Sequence, residues 1–197
     1  MKDLLLNDTY NLDYDRVYLF AEDLDHSDYQ HIIRHFTELE QKMGNGVKLI
    51  TYSENLDDLP PLSQIDRSVQ NVVIFDGWVN EQENTDSRIR YYFYFARQYN
   101  LSVSYLYYSW FGCPKVFLRN AQYAFLYRMP FDRERRTAYK DLRLTLPDDR
   151  FKRAHEEATV DDENGFLLVD QKTDDPIMRY RSGLGRDRDG GLEKGGE

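Results

Sequence analysis

Asn71-Val72-Val73-Ile74-Phe75-Asp76 is the stretch that decides the fold. It contains four consecutive apolar residues, three of them β-branched, and it ends in a single carboxylate. Such a run is typical of a strand that is buried on both faces of a sheet. Because a charge is costly inside a core, we expect Asp76 where the strand emerges at its carboxyl end. Open α/β sheets bind their ligands at that edge.

An apolar strand that delivers an aspartate to this edge has the form of a Walker B magnesium site. The alternative is an ordinary strand that ends at a turn. The stretch by itself favours the ordinary strand, and the rest of the chain has to decide between the two interpretations.

Length and composition predict a soluble globular domain with an appendage. The chain has 197 residues, of which 41% are hydrophobic and 31% charged. Its net charge of −9 argues against nucleic-acid binding by bulk charge and leaves a local basic patch open. No apolar stretch approaches the roughly 20 residues of a membrane span, and no signal peptide is evident. Cys113 is the single cysteine, so an intrachain disulfide is excluded and an intracellular location is expected.

Strands and helices alternate over the first two thirds of the chain. Runs of β-forming residues predict strands at 16–21, 47–52, 72–75, 101–107 and 123–127. Helical periodicity predicts helices from Ser27-Asp28 to Gly44 and from Asp86 or Ser87 to Tyr99, and a short helical turn at 115–120. This alternation predicts an α/β fold with a mainly parallel sheet. His31 and His35 lie one helical turn apart, but no third metal ligand is in register with them.

The character of the sequence changes at Phe131. A basic helical segment interleaved with acids runs from Arg133 to Arg153, which favours a solvated helix face over a nucleic-acid surface. A short strand is expected at 166–170. The glycine-rich, charged end of the chain cannot bury enough apolar surface to order itself. We therefore expect an α/β core at 1–130, a helical extension with a short strand at 131–180, and a disordered tail at 181–197.

Several short segments follow one another along the chain in a specific order. They are a strand at Tyr14–Ala21, Asp57-Asp58-Leu59-Pro60, the strand Val72–Asp76, Ala96-Arg97-Gln98-Tyr99-Asn100, the loop Tyr105–Phe111, and Pro114–Asn120. In this order and spacing the chain resembles the genome-packaging ATPases of the FtsK/HerA superfamily, in the form carried by poxviruses, giant viruses and Polinton-type mobile elements. The resemblance covers Leu4 to Arg181. It implies a P-loop NTPase (RecA-like) core. It also favours a Walker B site over an ordinary strand end at Asp76.

The resemblance assigns roles to four residues. Asp76 corresponds to the Walker B ligand of Mg²⁺. Arg97 corresponds to a trans-acting arginine finger, although a cation that suits the end of its helix is an equally good interpretation. Ser109 belongs to the degenerate sensor loop. Lys2 is a doubtful match to the lysine of the phosphate loop.

The chain also departs from the family pattern. If Lys2 is the phosphate-loop lysine, Asp3 takes the place of the family's Ser/Thr, and the preceding strand and loop are not in the sequence. Gly77 stands where the family has the second acid of Walker B, and glycine cannot activate a water molecule. Tyr108 replaces the sensor glutamine. We therefore expect an N-terminally truncated core without the first strand and phosphate loop.

Three hypotheses about function follow. The preferred one is a truncated, catalytically inactive relative of an ATP-driven packaging motor for double-stranded DNA. The second is an active packaging ATPase represented without its Walker A segment. The third is a non-catalytic binding module of an ATPase ring or a capsid, supported by Arg97 and the segment Arg133–Arg153.

Cofactor and partners are implied only by the resemblance. The family uses Mg-ATP, which we expect this chain not to bind. Its partners would be double-stranded DNA, further copies of itself in a ring, or an active ATPase subunit. No membrane association is expected, and the location would be the cytoplasm, a viral factory or the virion.

Overall fold

The strand predicted at Asn71 forms and lies inside a parallel sheet. A computed structural model describes residues 14–44, 46–78, 87–160, 164–173, 175 and 178–183. The chain folds as two compact units, Met1–Tyr108 and Ser109–Glu197. In the first unit the elements are β1 (Arg16–Ala21), α1 (Ser27–Met43), β2 (Ile50–Ser53), β3 (Asn71–Asp76), α2 (Ser87–Phe95) and β4 (Leu101–Leu106).

The four strands of the first unit run parallel in the order β2-β1-β3-β4. All six residues of β3 are buried. Each parallel pair needs a crossover connection, and α1 and α2 supply two of them. The predicted α/β fold with a mainly parallel sheet is therefore confirmed.

Alternation along the strands sends side chains to two covered faces. Val17 and Leu19 of β1 and Ile74 of β3 pack in one core with Ile32 and Phe36 of α1. Phe75 points to the opposite face, where the ring of Tyr92 in α2 meets it edge-on at 5.8 Å between centroids. Because Asp76 follows Phe75, its side chain emerges on the α1 face of the sheet.

Helix α1 begins and ends where the sequence predicts. The His26 ring accepts a hydrogen bond from the backbone N–H of Asp28 at the start, and Gly44 with φ +62° ends the helix. The helix packs its predicted apolar stripe against the sheet, with Tyr29, Ile32 and Phe36 buried.

The second unit contains a separate antiparallel sheet, in which β6 (Leu167–Asp170) lies between β5 (Tyr123–Leu126) and β7 (Tyr180–Ser182). Its core is formed by Leu126, Leu142, Phe151, Leu167 and Val169. Its elements are α3 (Lys115–Asn120), β5 (Tyr123–Leu126), α4 (Asp132–Asp141), α5 (Asp148–Thr159), β6 (Leu167–Asp170) and β7 (Tyr180–Ser182).

Three details differ from the sequence-based expectations. The compact units divide after Tyr108 rather than at residue 130, because β5 pairs with β6 instead of joining the parallel sheet. The second strand begins at Ile50 rather than at 47, because the Glu40 carboxylate accepts the backbone N–H groups of Leu49 and Ile50 at 2.6 and 2.9 Å. The expected basic segment forms two helices, α4 and α5.

Some expectations lie outside the described residues. These are the phosphate-loop match at residues 1–3 and residues 184–197 of the tail that was expected at 181–197. The connection 79–86 between β3 and α2 also lies outside them. The start of the expected tail is ordered instead, because Arg181 and Ser182 of β7 pair with Leu168 and Leu167.

Candidate functional site at the carboxyl edge of the parallel sheet

The pairing register brings three strand ends to one level. Ala21 of β1 pairs with Asp76 of β3, which pairs in turn with Leu106 of β4. One further backbone hydrogen bond continues the ladder, from the Glu22 N–H to the Asp76 carbonyl at 3.2 Å. The residues that follow these ends therefore gather at the carboxyl edge, where open α/β sheets bind ligands.

The carboxylate of Asp76 accepts two tyrosine hydroxyls. Asp76 is only 9% exposed, and its Oδ2 accepts a short hydrogen bond from the phenol of Tyr29 in the first turn of α1. The same oxygen accepts a longer bond of 3.5 Å from the phenol of Tyr108, which follows β4. Tyr29 is thus the principal donor to the atom that the resemblance assigns to Mg²⁺, and the 87% exposed Tyr108 adds a weaker contact from the solvent side.

Both phenols are held in the protonated, donating form. Burial raises the pKa of Tyr29 well above the ordinary value for a phenol, and the hydrogen bond and charge of Asp76 raise it further. For Tyr108 the order is reversed: the negative charge of Asp76 is the main cause that raises the pKa, and burial comes second. Ionising either phenol would place a second negative charge beside the carboxylate.

Gly77 occupies a position that suits glycine. Its φ is +88°, a conformation that side chains of L-residues rarely adopt. A Cβ at this position would also lie 2.9 Å from Oε2 of Glu22. The side chain of Glu22, which follows β1, therefore lies directly beside Gly77.

The described residues do not fit a magnesium ion at Asp76. The ion takes oxygen ligands in an octahedral arrangement and usually keeps several waters. Here Oδ2 of Asp76, the carboxylate that the resemblance assigns to the ion, accepts two phenol hydrogens. No group of three or more His, Cys, Asp or Glu that could hold a metal is present among the residues described.

Arg97 lies at the other edge of the same sheet. It sits in the 3₁₀ turn Ala96–Tyr99, which leads into the first residue of β4, and its side chain is exposed. The six-residue strand β3 spans about 17 Å, so Arg97 does not reach Asp76 of its own chain. The side chain of Arg97 makes no hydrogen bond or ion pair with the rest of the described chain.

Ser109 belongs to the second unit and is held by a carboxylate. Its hydroxyl donates to Oε1 of Glu134 in α4 at 3.0 Å, and the backbone N–H of Trp110 donates to the same oxygen at 2.5 Å. The Trp110 indole donates to Asp141 of α4 at 3.2 Å. Glu134 is 8% exposed, so a buried side chain fastens this loop to α4.

The remaining candidates are not assembled into a site. Lys2 lies outside the described residues. His31 and His35 are both exposed on α1. In the segment Arg133–Arg153, Arg135 is buried and pairs with Asp132 and Glu156, and Arg153 pairs with Asp149 one turn away. The exposed Arg153–Asp149 pair agrees with the solvated-helix interpretation of the segment, whereas the buried Arg135 departs from it.

Sequence reasoning missed Tyr29, Glu22 and Glu134. Tyr29 stands in the apolar stripe of α1, which marks it as a core residue and says nothing about its hydroxyl. Glu22 was interpreted only as the end of a strand. Glu134 is one acid among many in α4, and only the tertiary structure shows that it is buried beside Ser109.

Comparison with known proteins shows the fold. No protein-family model and no curated protein matches the chain by sequence. Among solved structures, the chain is similar to the genome packaging NTPase B204 from Sulfolobus turreted icosahedral virus 2 in complex with ATP-gammaS. The TM-score is 0.51 and the identity 13%, over 85% of this chain and 96% of that one. The chain therefore has the P-loop NTPase-like fold of a viral genome-packaging NTPase.

Two further structures of that NTPase also match. The sulfate complex has a TM-score of 0.48 and 11% identity over 86% of this chain and 95% of that one. The AMP complex has a TM-score of 0.45 and 13% identity over 81% and 94%. Separately, none of the helices in the described ranges has the length and apolar character needed to cross a membrane.

Proposed function

We propose that the protein is a subunit of a double-stranded DNA packaging motor, viral or from a mobile element, that does not itself hydrolyse ATP. The observation that carries the proposal is the engagement of Asp76 by Tyr29 and Tyr108. NTP hydrolysis on this kind of fold relies on a carboxylate that holds Mg²⁺ and on a group that orients the attacking water. In this chain the carboxylate accepts phenols instead.

The surroundings of Asp76 support the same conclusion. Gly77 has no side chain with which to orient a water, and Tyr108 is a phenol where the family has an amide. A phenol cannot donate and accept through two separate atoms as a glutamine amide does. The location that goes with this proposal is a viral factory or the virion.

The experiment that tests the proposal is a calorimetric titration of the full chain with Mg-ATP, combined with an ATPase assay. We expect neither micromolar binding nor turnover. Tight binding that is lost in Asp76→Ala would show that Asp76 holds a metal-bound nucleotide, and the proposal would then fail.

A second candidate function is a non-catalytic subunit that completes the site of an active neighbour. It is favoured by Arg97, which is exposed, has no partner in the described residues and lies far from Asp76 of its own chain. An arginine finger acts on the nucleotide of another subunit and raises the turnover number by 10³–10⁵.

Mixing the protein with an active packaging ATPase of the same fold tests this second function. We expect the ATPase rate of the mixture to exceed that of the active enzyme alone, and Arg97→Ala to remove the increase. Arg34→Ala is the matched control, because Arg34 is an exposed arginine on α1. An unchanged rate, or an equal effect of both variants, would exclude the role of Arg97.

A further inference from the structure

The outward face of the β5-β6-β7 sheet carries a row of exposed aromatic rings. Tyr123 and Phe125 of β5 and Tyr127, which follows it, are 41%, 37% and 44% exposed. The residues between them, Ala124 and Leu126, pack into the core of the second unit. Because alternate residues of a strand point to the same side, the three rings stand together on the side away from that core.

The neighbouring strand holds these rings in place. Phe166 directly precedes β6, and its ring centroid lies 5.3 Å from that of Phe125 and 5.4 Å from that of Tyr127. Leu168 of β6 pairs with Phe125 and is 4% exposed, so it forms an apolar floor beside the rings. The surface is therefore preformed, and little side-chain entropy would be lost when a ligand binds.

Cations border the rings, although the chain as a whole is acidic. Nζ of Lys172 lies 5.1 Å from the ring centroid of Tyr123. Arg181 of β7 pairs with Leu168 in the register, and its guanidinium lies 3.4 Å from Oδ2 of Asp170. Asp170 is the single acid within β5, β6 and β7, and its side chain is only 14% exposed.

We propose that this outward face, formed by Tyr123, Phe125, Tyr127 and Phe166 with Lys172 and Arg181, is a stacking surface for the unpaired bases of a single-stranded nucleic acid. Rings that stack on bases beside cations that meet phosphates are the combination that single-strand binding uses. The face presents four rings, the cation of Lys172 and the Arg181–Asp170 ion pair, in which Asp170 stands opposite Tyr123. Its one aliphatic residue, Leu168, is buried, which favours bases over an aliphatic protein surface.

The spacing of the rings supports the same ligand. Alternate residues of a strand are roughly 6.8 Å apart. Successive nucleotides rise roughly 3.4 Å along a stacked strand. A nucleic-acid strand whose successive bases stack on successive rings therefore has to extend to about twice its stacked rise. An unpaired strand can extend in this way, whereas a duplex would have to lose its base stacking. The inference goes beyond the proposed packaging function and does not depend on it.

The test measures fluorescence anisotropy of labelled oligonucleotides with the full chain. The probes are oligo(dT), oligo(U) and an abasic oligodeoxynucleotide of the same length and charge. We expect both base-bearing strands to bind at least about 10-fold more tightly than the abasic strand, because the bases supply the stacking. Comparing oligo(dT) with oligo(U) distinguishes DNA from RNA as the preferred source of the bases.

Variants locate the surface. We expect Phe125→Ala to weaken binding roughly 5- to 150-fold, the effect of losing one base–aromatic stack. Phe125→Leu keeps an apolar side chain on the sheet without the ring, and we expect a similar loss from it. Tyr91→Ala is the matched control, because Tyr91 is an exposed ring on α2 in the first unit. Lys172→Gln should reduce the slope of log affinity against log salt by about 0.7.

Three results would overturn the proposal. The first is equal affinity for the abasic and base-bearing strands, or no binding at about 100 µM, the weak limit of non-specific binding. The second is an equal loss in Tyr91→Ala and Phe125→Leu. The third is self-association in sedimentation that Phe125→Leu abolishes, which would show that a second copy of the chain covers this face.

Discussion

Tyr29 donates its hydroxyl hydrogen to the carboxylate of Asp76, 47 positions further along the chain. This bond fastens the first turn of α1 to the carboxyl end of β3. It also gives the buried carboxylate a protein donor in place of a metal ion. The same contact therefore contributes to the stability of the first unit and to the proposed loss of hydrolysis.

Removing the Tyr29 hydroxyl should destabilise the protein. Tyr29→Phe leaves the 9% exposed carboxylate of Asp76 without its nearest donor, so we expect the free energy of unfolding to fall by about 1–3 kcal/mol. Urea denaturation measures the change. Tyr108→Phe is the control, with a loss below about 0.5 kcal/mol, because its bond is 3.5 Å long and its phenol is 87% exposed. Equal losses in the two variants would contradict the assignment of Tyr29 as the principal donor.

A side chain at Gly77 should be costly mainly because of the backbone. With φ at +88°, Gly77→Ala is strained by about 1–3 kcal/mol wherever the side chain of Glu22 moves. In the Glu22→Ala background, a Cβ at position 77 no longer meets the Glu22 side chain at 2.9 Å. We expect Gly77→Ala to lower the free energy of unfolding in that background by nearly as much as it does in the wild type. A urea midpoint that Gly77→Ala leaves unchanged in that background would show that the contact, and not the backbone, excludes a side chain.

Glu134 should control the loop that contains Ser109 and Trp110. Glu134→Ala leaves two donors without their shared acceptor, so we expect the free energy of unfolding to fall by about 1.5–3 kcal/mol. The chain has two tryptophans, so Trp110 emission is measured in a Trp78→Phe background, where we expect a red shift. Glu157→Ala, which changes an exposed acid of α5, should leave the emission unchanged. An unshifted spectrum in Glu134→Ala would show that the loop is held by other contacts.

His155 should make the second unit sensitive to acid. Its ring Nε2 lies 2.9 Å from the Tyr127 carbonyl, its Nδ1 is buried without a hydrogen-bond partner, and the residue is 1% exposed. Burial is the main cause that lowers the pKa of His155. The charge of Arg135 adds to it, while the Tyr127 carbonyl and Glu156 oppose it.

The sign of the pH dependence follows from that lowered pKa. The unfolded state takes up a proton more readily than the folded state, so this contribution to stability is complete above pH 6.5 and is lost as the pH falls through the folded-state pKa. We expect His155→Gln to flatten the decline in the urea midpoint below pH 6.5. The control His31→Gln changes an exposed histidine and should retain the decline. Matching profiles for His155→Gln and the wild type would contradict this origin.

Local patterns predicted the elements around Asp76 well. The apolar run before Asp76 predicted a buried strand, and the helical spacing of apolar residues predicted the buried face of α1. Both patterns are local, and both elements form as predicted. The sheet to which a strand belongs does not follow from its own residues, so β5 was expected in the parallel core and instead pairs with β6. The three residues of β7 are too few to give a pattern.

The site was less predictable than the fold. The sequence indicated that Asp76 emerges at the carboxyl edge, and the structure places it there. Nothing in the spacing indicated that Tyr29 reaches Asp76, because a tyrosine in an apolar stripe is expected to contribute its ring to the core. The Ser109 contact with Glu134 also joins residues 25 positions apart through packing that no local pattern encodes.

The most direct test of the proposed function is the binding of Mg-ATP to the full chain, measured by isothermal titration calorimetry with wild type and Asp76→Ala in parallel. With Asp76 engaged by Tyr29 and Tyr108, we predict no binding heat in the micromolar range for either protein. Tight binding by the wild type that disappears in Asp76→Ala would contradict the proposal and identify Asp76 as the ligand of a bound metal nucleotide.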